Sequence, residues 1–205
     1  MQGFILNLNR VKDEDLIVTI LSRDNLDTVY RFYGARHGSI NIGFKIDYER
    51  ESSSKSTILR LKDVIHIGYK WLNDYKLLRV WQDYTALFYK HLKDTYEIDD
   101  FYFNLLEESS NKWNLQNPKR VAIESYVALL EHEGRLHGEL ECFLCSEVIE
   151  EDVSLLRAFL PSHKNCSNRY SIKKEAFYEL VRNKSTLFLD DEEIDKLWYV
   201  VMEGL

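Results

Sequence analysis

Apolar and polar positions alternate along the first seventy residues and then change period. Residues 3–11 (GFILNLNRV), 15–22 (DLIVTILS), 27–36 (DTVYRFYGAR) and 57–70 (TILRLKDVIHIGYK) are rich in Val, Ile, Thr and Tyr. Lys12-Asp13-Glu14 and Arg23-Asp24-Asn25 separate the first three of them. Partial alternation between polar breaks predicts short antiparallel strands, because successive strand side chains point to opposite faces. The run 49–56 (ERESSSKS) has no apolar residue and predicts a solvated, linker-like loop. Four or five short strands in this span predict a small closed barrel, since an open sheet of that size leaves edges exposed.

From Trp71 the spacing becomes helical. Trp71, Leu72, Tyr75, Leu78, Trp81, Tyr84, Leu87, Phe88, His91 and Leu92 recur at intervals of three and four, which predicts a long amphipathic helix. Similar spacing continues over 101–106 and 121–130, with Asn117-Pro118 as a start signal and Gly134 and Gly138 as stops. Asp190-Asp191-Glu192-Glu193 then opens a closing helix through Met202, acidic where a helix N-terminus favours it. The fold class is α+β: a barrel over 1–70, then a helical domain over 71–205 with a cysteine-bearing lobe at about 138–170.

Composition narrows the class. The apolar share of 45% excludes a disordered chain, and two Pro with eight Gly exclude a collagenous one. A chain of 205 residues buries enough surface to need no disulfides. The opening MQGFILNLNR lacks a basic segment followed by an apolar run, and no stretch approaches a membrane span, so the expected address is cytoplasmic with no membrane partner.

The net charge of −7 is unevenly spread. Residues 1–78 hold twelve Lys/Arg against ten Asp/Glu, whereas 79–205 hold fifteen against twenty-four. The acidic part is therefore expected to meet protein more than phosphate. Within it lies a basic patch at Lys164, Arg169, Lys173 and Lys174, read as a secondary DNA or acidic-peptide contact or as a solvated helix face.

The strongest chemical signal is Cys142-Phe-Leu-Cys145 followed, after seventeen residues, by His163-Lys-Asn-Cys166. Two such knuckles supply four ligands, the number that closes a tetrahedral zinc site; one structural Zn2+ is expected, with no open position for catalysis. The competing reading is three free cysteines beside an unrelated histidine. His66 and His91 lie in apolar patterns and are expected to be packed, and His132 and His137 do not share a helix face. The stretch 38–45 (GSINIGFK) only superficially resembles a phosphate loop, because its lysine is late and no helix follows. No enzymatic motif and no small-molecule site is apparent.

The barrel carries Arg10, Lys12, Arg31, Arg36, His37 and Lys45, with Tyr30, Phe32, Tyr33 and Tyr48 interleaved. Cations beside rings suit single-strand binding, where charge tracks the backbone and bases stack. Alternation along 29–33 offers the opposing reading that some rings, Phe32 above all, belong to the core.

These pieces together resemble the RecO family of bacterial recombination mediators over nearly the whole chain. The resemblance rests on Gly3-Phe-Ile-Leu, then Asp13-Glu14-Asp15-Leu16-Ile17-Val18, then Tyr33-Gly34-Ala35-Arg36, with the long helix and the late knuckle pair following in order. It departs from the family at His163, where a cysteine is expected, and around 44–47. The resemblance implies an OB-fold barrel, a helical domain and a zinc knuckle. It further implies a non-enzymatic DNA-repair protein of the cytoplasm and nucleoid that binds single- and double-stranded DNA and anneals complementary strands. Joined to RecR and in contact with single-strand-binding protein, such a protein helps load RecA. The alternatives are an RNA-binding OB-fold protein of translation or RNA metabolism, since the sequence registers no 2′-hydroxyl preference, and a zinc-dependent hydrolase, which needs an open metal position.

Overall fold

A computed structural model describes all 205 residues except Lys55 and Tyr96. Its contacts form two compact units, Met1–Asn111 and Lys112–Leu205.

In the first unit, β1 (Gln2–Arg10), β2 (Leu16–Leu21), β3 (Leu26–Arg31), β4 (Lys45–Ser53) and β5 (Ser56–Ile67) close a barrel in the order β1-β2-β3-β5-β4. The antiparallel β1–β2–β3 meander is followed by the β4–β5 hairpin, and β3 meets β5 in parallel at Tyr30 and Arg60. This is the five-stranded OB arrangement. Its core is Ile5, Leu16, Val18, Ile20, Val29, Ile40, Phe44, Ile46, Tyr48 and Leu61. At Gly3 the strands cross so closely that a Cβ would stand 2.4 Å from Ile20 Cγ2.

The polar run 49–56 is not a linker. Apart from Lys55, which lies outside the described residues, it forms the end of β4 and the start of β5 around a tight turn. Pairing such as Glu49 with Lys62 and Glu51 with Arg60 holds it, so backbone hydrogen bonds order a segment without apolar side chains.

The long helix α1 (Tyr75–Leu92) begins four residues later than its apolar spacing, because Asp74 caps it by accepting from the N–H groups of Lys76 and Leu77. α1 and α2 (Phe101–Lys112) pack against the barrel, so the compact unit runs to Asn111 rather than ending near residue 70. The join is specific. Gly43, at φ 81°, turns its carbonyl to accept from Trp81 Nε1 and Tyr69 Oη, both at 2.7 Å, and a Cβ there would lie 2.7 Å from the Trp81 ring. Phe4 packs on Phe103 of α2 at 5.2 Å between ring centres. The glycines of 38–45 therefore lead into a strand and seat a helix, and cradle no phosphate.

The second unit is built on α3 (Pro118–His132), which packs against α6 (Asp191–Met202) and α5 (Lys174–Asn183). Asn117 caps α3 with Pro118 in its first turn, and Asp190 and Glu193 form a reciprocal capping box on α6. Between α3 and α5 lie β6 (Val153–Leu155), β7 (Pro161–Ser162), the single turn α4 (Lys164–Ser167) and β8 (Ser171–Ile172). The strands form a small antiparallel sheet ordered β7-β6-β8 that the sequence pattern does not announce. Among the described residues no helix is long and apolar enough to cross a membrane.

Candidate metal centre and nucleic-acid face

The first knuckle is a tight reversal closed by three backbone bonds: Ile149 N–H to Leu140 O at 2.8 Å, Cys142 N–H to Glu147 O at 2.9 Å and Ser146 N–H to Cys142 O at 2.8 Å. Ser146 takes the left-handed conformation, φ 60°, that turns the chain back. The second knuckle is α4 itself. His163 stands at its N-cap, and its carbonyl accepts from Cys166 N–H at 3.2 Å, which puts both side chains on the same side of one turn. The β6–β7 hairpin carries the second knuckle back to the first.

The four ligand atoms of Cys142, Cys145, His163 and Cys166 all lie within 4.8 Å of one another, a cluster able to hold a metal ion. Cys145 Sγ is 3.4 Å and Cys166 Sγ 3.8 Å from His163 Nδ1, and the two sulfurs are 3.9 Å apart. A tetrahedral zinc with bonds of about 2.3 Å to sulfur requires edges of roughly 3.8 Å, so the donor set fits. His163 Nε2 donates to Val148 O at 3.2 Å, leaving the Nδ1 lone pair turned toward the thiols. Burial opposes ionisation of Cys142, but N–H groups of His163, Leu144 and Cys145 outweigh it and bring the thiol down to about 6. The expected pairing of knuckles is therefore assembled as four convergent donors.

On the barrel, Asp15 organises the face. One carboxylate oxygen accepts from Tyr30 Oη at 2.6 Å and the other from Tyr33 N–H at 2.7 Å, and these bonds hold its carboxyl below the usual range. Tyr33 then turns left-handed, φ 52°, into the 3-10 turn Gly34–Arg36. Phe32 and Tyr33 are 47% and 59% exposed, so the alternation argument for a buried Phe32 fails; the strand ends at Arg31 and its period with it. Tyr48, by contrast, is 1% exposed and belongs to the core.

Arg10, Lys12, Arg36 and His37 are exposed. Arg36 pairs with Glu14 and lies 5.2 Å over the Tyr33 ring. Arg31 is half-buried, its Nη1 donating to Leu61 O at 2.8 Å, which makes it a strap between β3 and β5. Lys45 is a correction: at 8% exposure it is inside, bonded to Glu107 and set against the Phe4 and Phe103 rings. As one of the barrel cations beside rings it is expected to face outward, but it opens β4 under α2.

Residues 1–72, the span of the barrel, match the family model described as RecO N terminal. Over that span the barrel is similar to the N-terminal domain of RecO proteins. No curated protein matches the chain.

Two features of this RecO-type barrel escape sequence reading. Arg60 lies 5.2 Å over Phe32, and Tyr30 meets Phe32 edge-on at 4.9 Å. Only the parallel closure of β3 on β5 brings Arg60 there, thirty residues from its neighbours in sequence. In the second unit the basic patch is thinner than its sequence suggests. Arg169 is engaged by Glu203 at 2.5 and 3.2 Å, Lys174 is half-buried, and Lys164 shares its groove with Glu150, Glu151 and Asp152. Lys164 and Lys173 stay exposed.

Proposed function

We propose that this chain is a recombination mediator that binds single- and double-stranded DNA, anneals complementary strands and, with RecR, helps load RecA onto DNA coated by single-strand-binding protein. It acts in the cytoplasm, at the nucleoid, and without catalysis. The observation that carries this reading is the ring-and-cation face of the RecO-type barrel: Phe32 under Arg60 and Tyr33 under Arg36, flanked by Arg10, Lys12 and His37. Rings offer stacking platforms to unpaired bases while the cations follow the phosphates, so a strand is held with its bases splayed toward a complement. Glu14 holds Arg36 in the free protein, and phosphate competes with that carboxylate for the guanidinium.

We assign the metal cluster to one structural zinc, with Cys142, Cys145, His163 and Cys166 as ligands. When bound it ties the two knuckles together, and four protein ligands leave no position for substrate. The lobe over about 138–170 is then a zinc-knuckle insert in the helical region.

Fluorescence-monitored annealing of two complementary strands coated with single-strand-binding protein tests the function. Acceleration by the chain, lost when Phe32 and Arg36 are both changed to Ala, is the expected result. Annealing at the rate of the protein-free control, or tighter binding to matched RNA than to DNA, refutes it.

A further inference from the structure

The four ligand residues meet solvent differently. Cys142 is 0% exposed, and its sulfur accepts from His163 N–H at 3.4 Å. Cys145 and Cys166 are both exposed, with sulfurs 3.9 Å apart. Neither sits in a strand: Cys145 lies in the knuckle turn and Cys166 in the four-residue helix α4, which ends at the left-handed Asn168.

We propose that Cys145 and Cys166 are a modification site for two-electron oxidants of the peroxide class, closing to a reversible disulfide that spares Cys142. The consequence for the metal rests on the zinc reading above; the choice of cysteines rests on exposure and distance.

The chemistry balances with hydrogen peroxide alone. The thiolate is the reactive form of each cysteine. One thiolate attacks a peroxide oxygen: an S–O bond forms, the O–O bond breaks, hydroxide leaves and the sulfur, now a sulfenic acid, has given up two electrons. The second thiolate attacks that sulfur, the S–S bond forms, the S–O bond breaks and a second hydroxide leaves. Two thiolates and one peroxide thus yield one disulfide and two hydroxides. The sulfurs close from 3.9 Å to about 2.05 Å, a movement confined to a surface turn and a single helical turn. Cys142 is withheld by burial, with the His163 N–H bonded to its sulfur. Afterwards only Cys142 and His163 remain as donors, too few to retain a tetrahedral ion.

The test uses the full chain as purified, with zinc measured first. Hydrogen peroxide is added, released zinc is followed with a chromogenic chelator, and an unreduced tryptic digest is analysed by mass spectrometry. Trypsin places Cys142 and Cys145 on one peptide, 136–157, and Cys166 on another, 165–169, so fragmentation between positions 143 and 144 decides which cysteine is linked. The expected result is a Cys145–Cys166 bond, about one zinc released per disulfide, and recovery on adding dithiothreitol and zinc. A link to Cys142, sulfinic acids without a link, or three free thiols after peroxide would overturn the proposal. Protein that starts without zinc yet forms the Cys145–Cys166 bond refutes the zinc reading and upholds the modification site.

Discussion

The barrel and the metal lobe reach order by different routes. Barrel strands run six to twelve residues and close around ten buried core side chains, so apolar burial and strand pairing hold them without a metal. The lobe's strands run two or three residues, and its sheet contributes few buried apolar groups such as Val153, Leu155 and Ile172. Strands that short are marginal without another restraint, which the proposed zinc would supply through four convergent donors. The contrast extends to the sites. In the lobe the proposed zinc site is itself the restraint; on the barrel the proposed strand-binding face is made of side chains the core does not need.

The sharpest way to break this contrast is Cys142→Ser with Cys145→Ser. Structural zinc contributes on the order of 10–16 kcal/mol of apparent binding energy in small zinc modules, and that energy is folding energy. The double variant should lose its metal and its amide protection over 142–166 while residues 1–72 exchange as before. Hydrogen exchange by mass spectrometry resolves the two regions, and an unchanged lobe would show that it folds on burial alone.

Trp81→Ala is the barrel-side counterpart. It empties a fully buried site and strips a donor from the Gly43 carbonyl, at a cost of about 3–5 kcal/mol in urea unfolding. Zinc content should not change. A variant with wild-type stability would mean that α1 is not anchored through that residue.

Smaller effects separate the members of the barrel face. Phe32→Ala should weaken single-strand binding by about 1–3 kcal/mol, the usual worth of one stacked base. Arg36→Ala should make the log–log salt slope shallower by roughly 0.7, the loss of one phosphate contact. Glu14→Gln should tighten binding by freeing Arg36, and Lys45→Met should leave the slope alone because Lys45 faces inward. A slope change at Lys45 with none at Arg36 would move the interface elsewhere.

The smallest effect concerns pH. Asp15 is held below its ordinary pKa by Tyr30 and the Tyr33 N–H, so its contribution is complete above the unfolded carboxylate value and disappears as pH falls through the folded one. Asp15→Asn should therefore lower Tm near neutrality, and the difference from wild type should shrink below about pH 4. A Tm difference that persists undiminished at pH 3 would show that the carboxylate charge is irrelevant there.

Much of this protein is legible in its sequence because the deciding interactions are local. Strand alternation, the Asn117-Pro118 start, the acidic cap at Asp190 and the two knuckles each concern residues within a few positions of one another. Even the metal cluster reads in advance, since each knuckle converges its own pair of donors. Tertiary structure decided what depends on distant segments meeting. β4 is ordered by pairing with β5 although its end is wholly polar; Lys45 is buried because α2 covers it; Arg60 reaches Phe32 because β3 and β5 close in parallel. A cation's sequence neighbours do not say which side of a barrel wall it occupies, because a strand presents both faces and only the closed, covered barrel makes one of them inside.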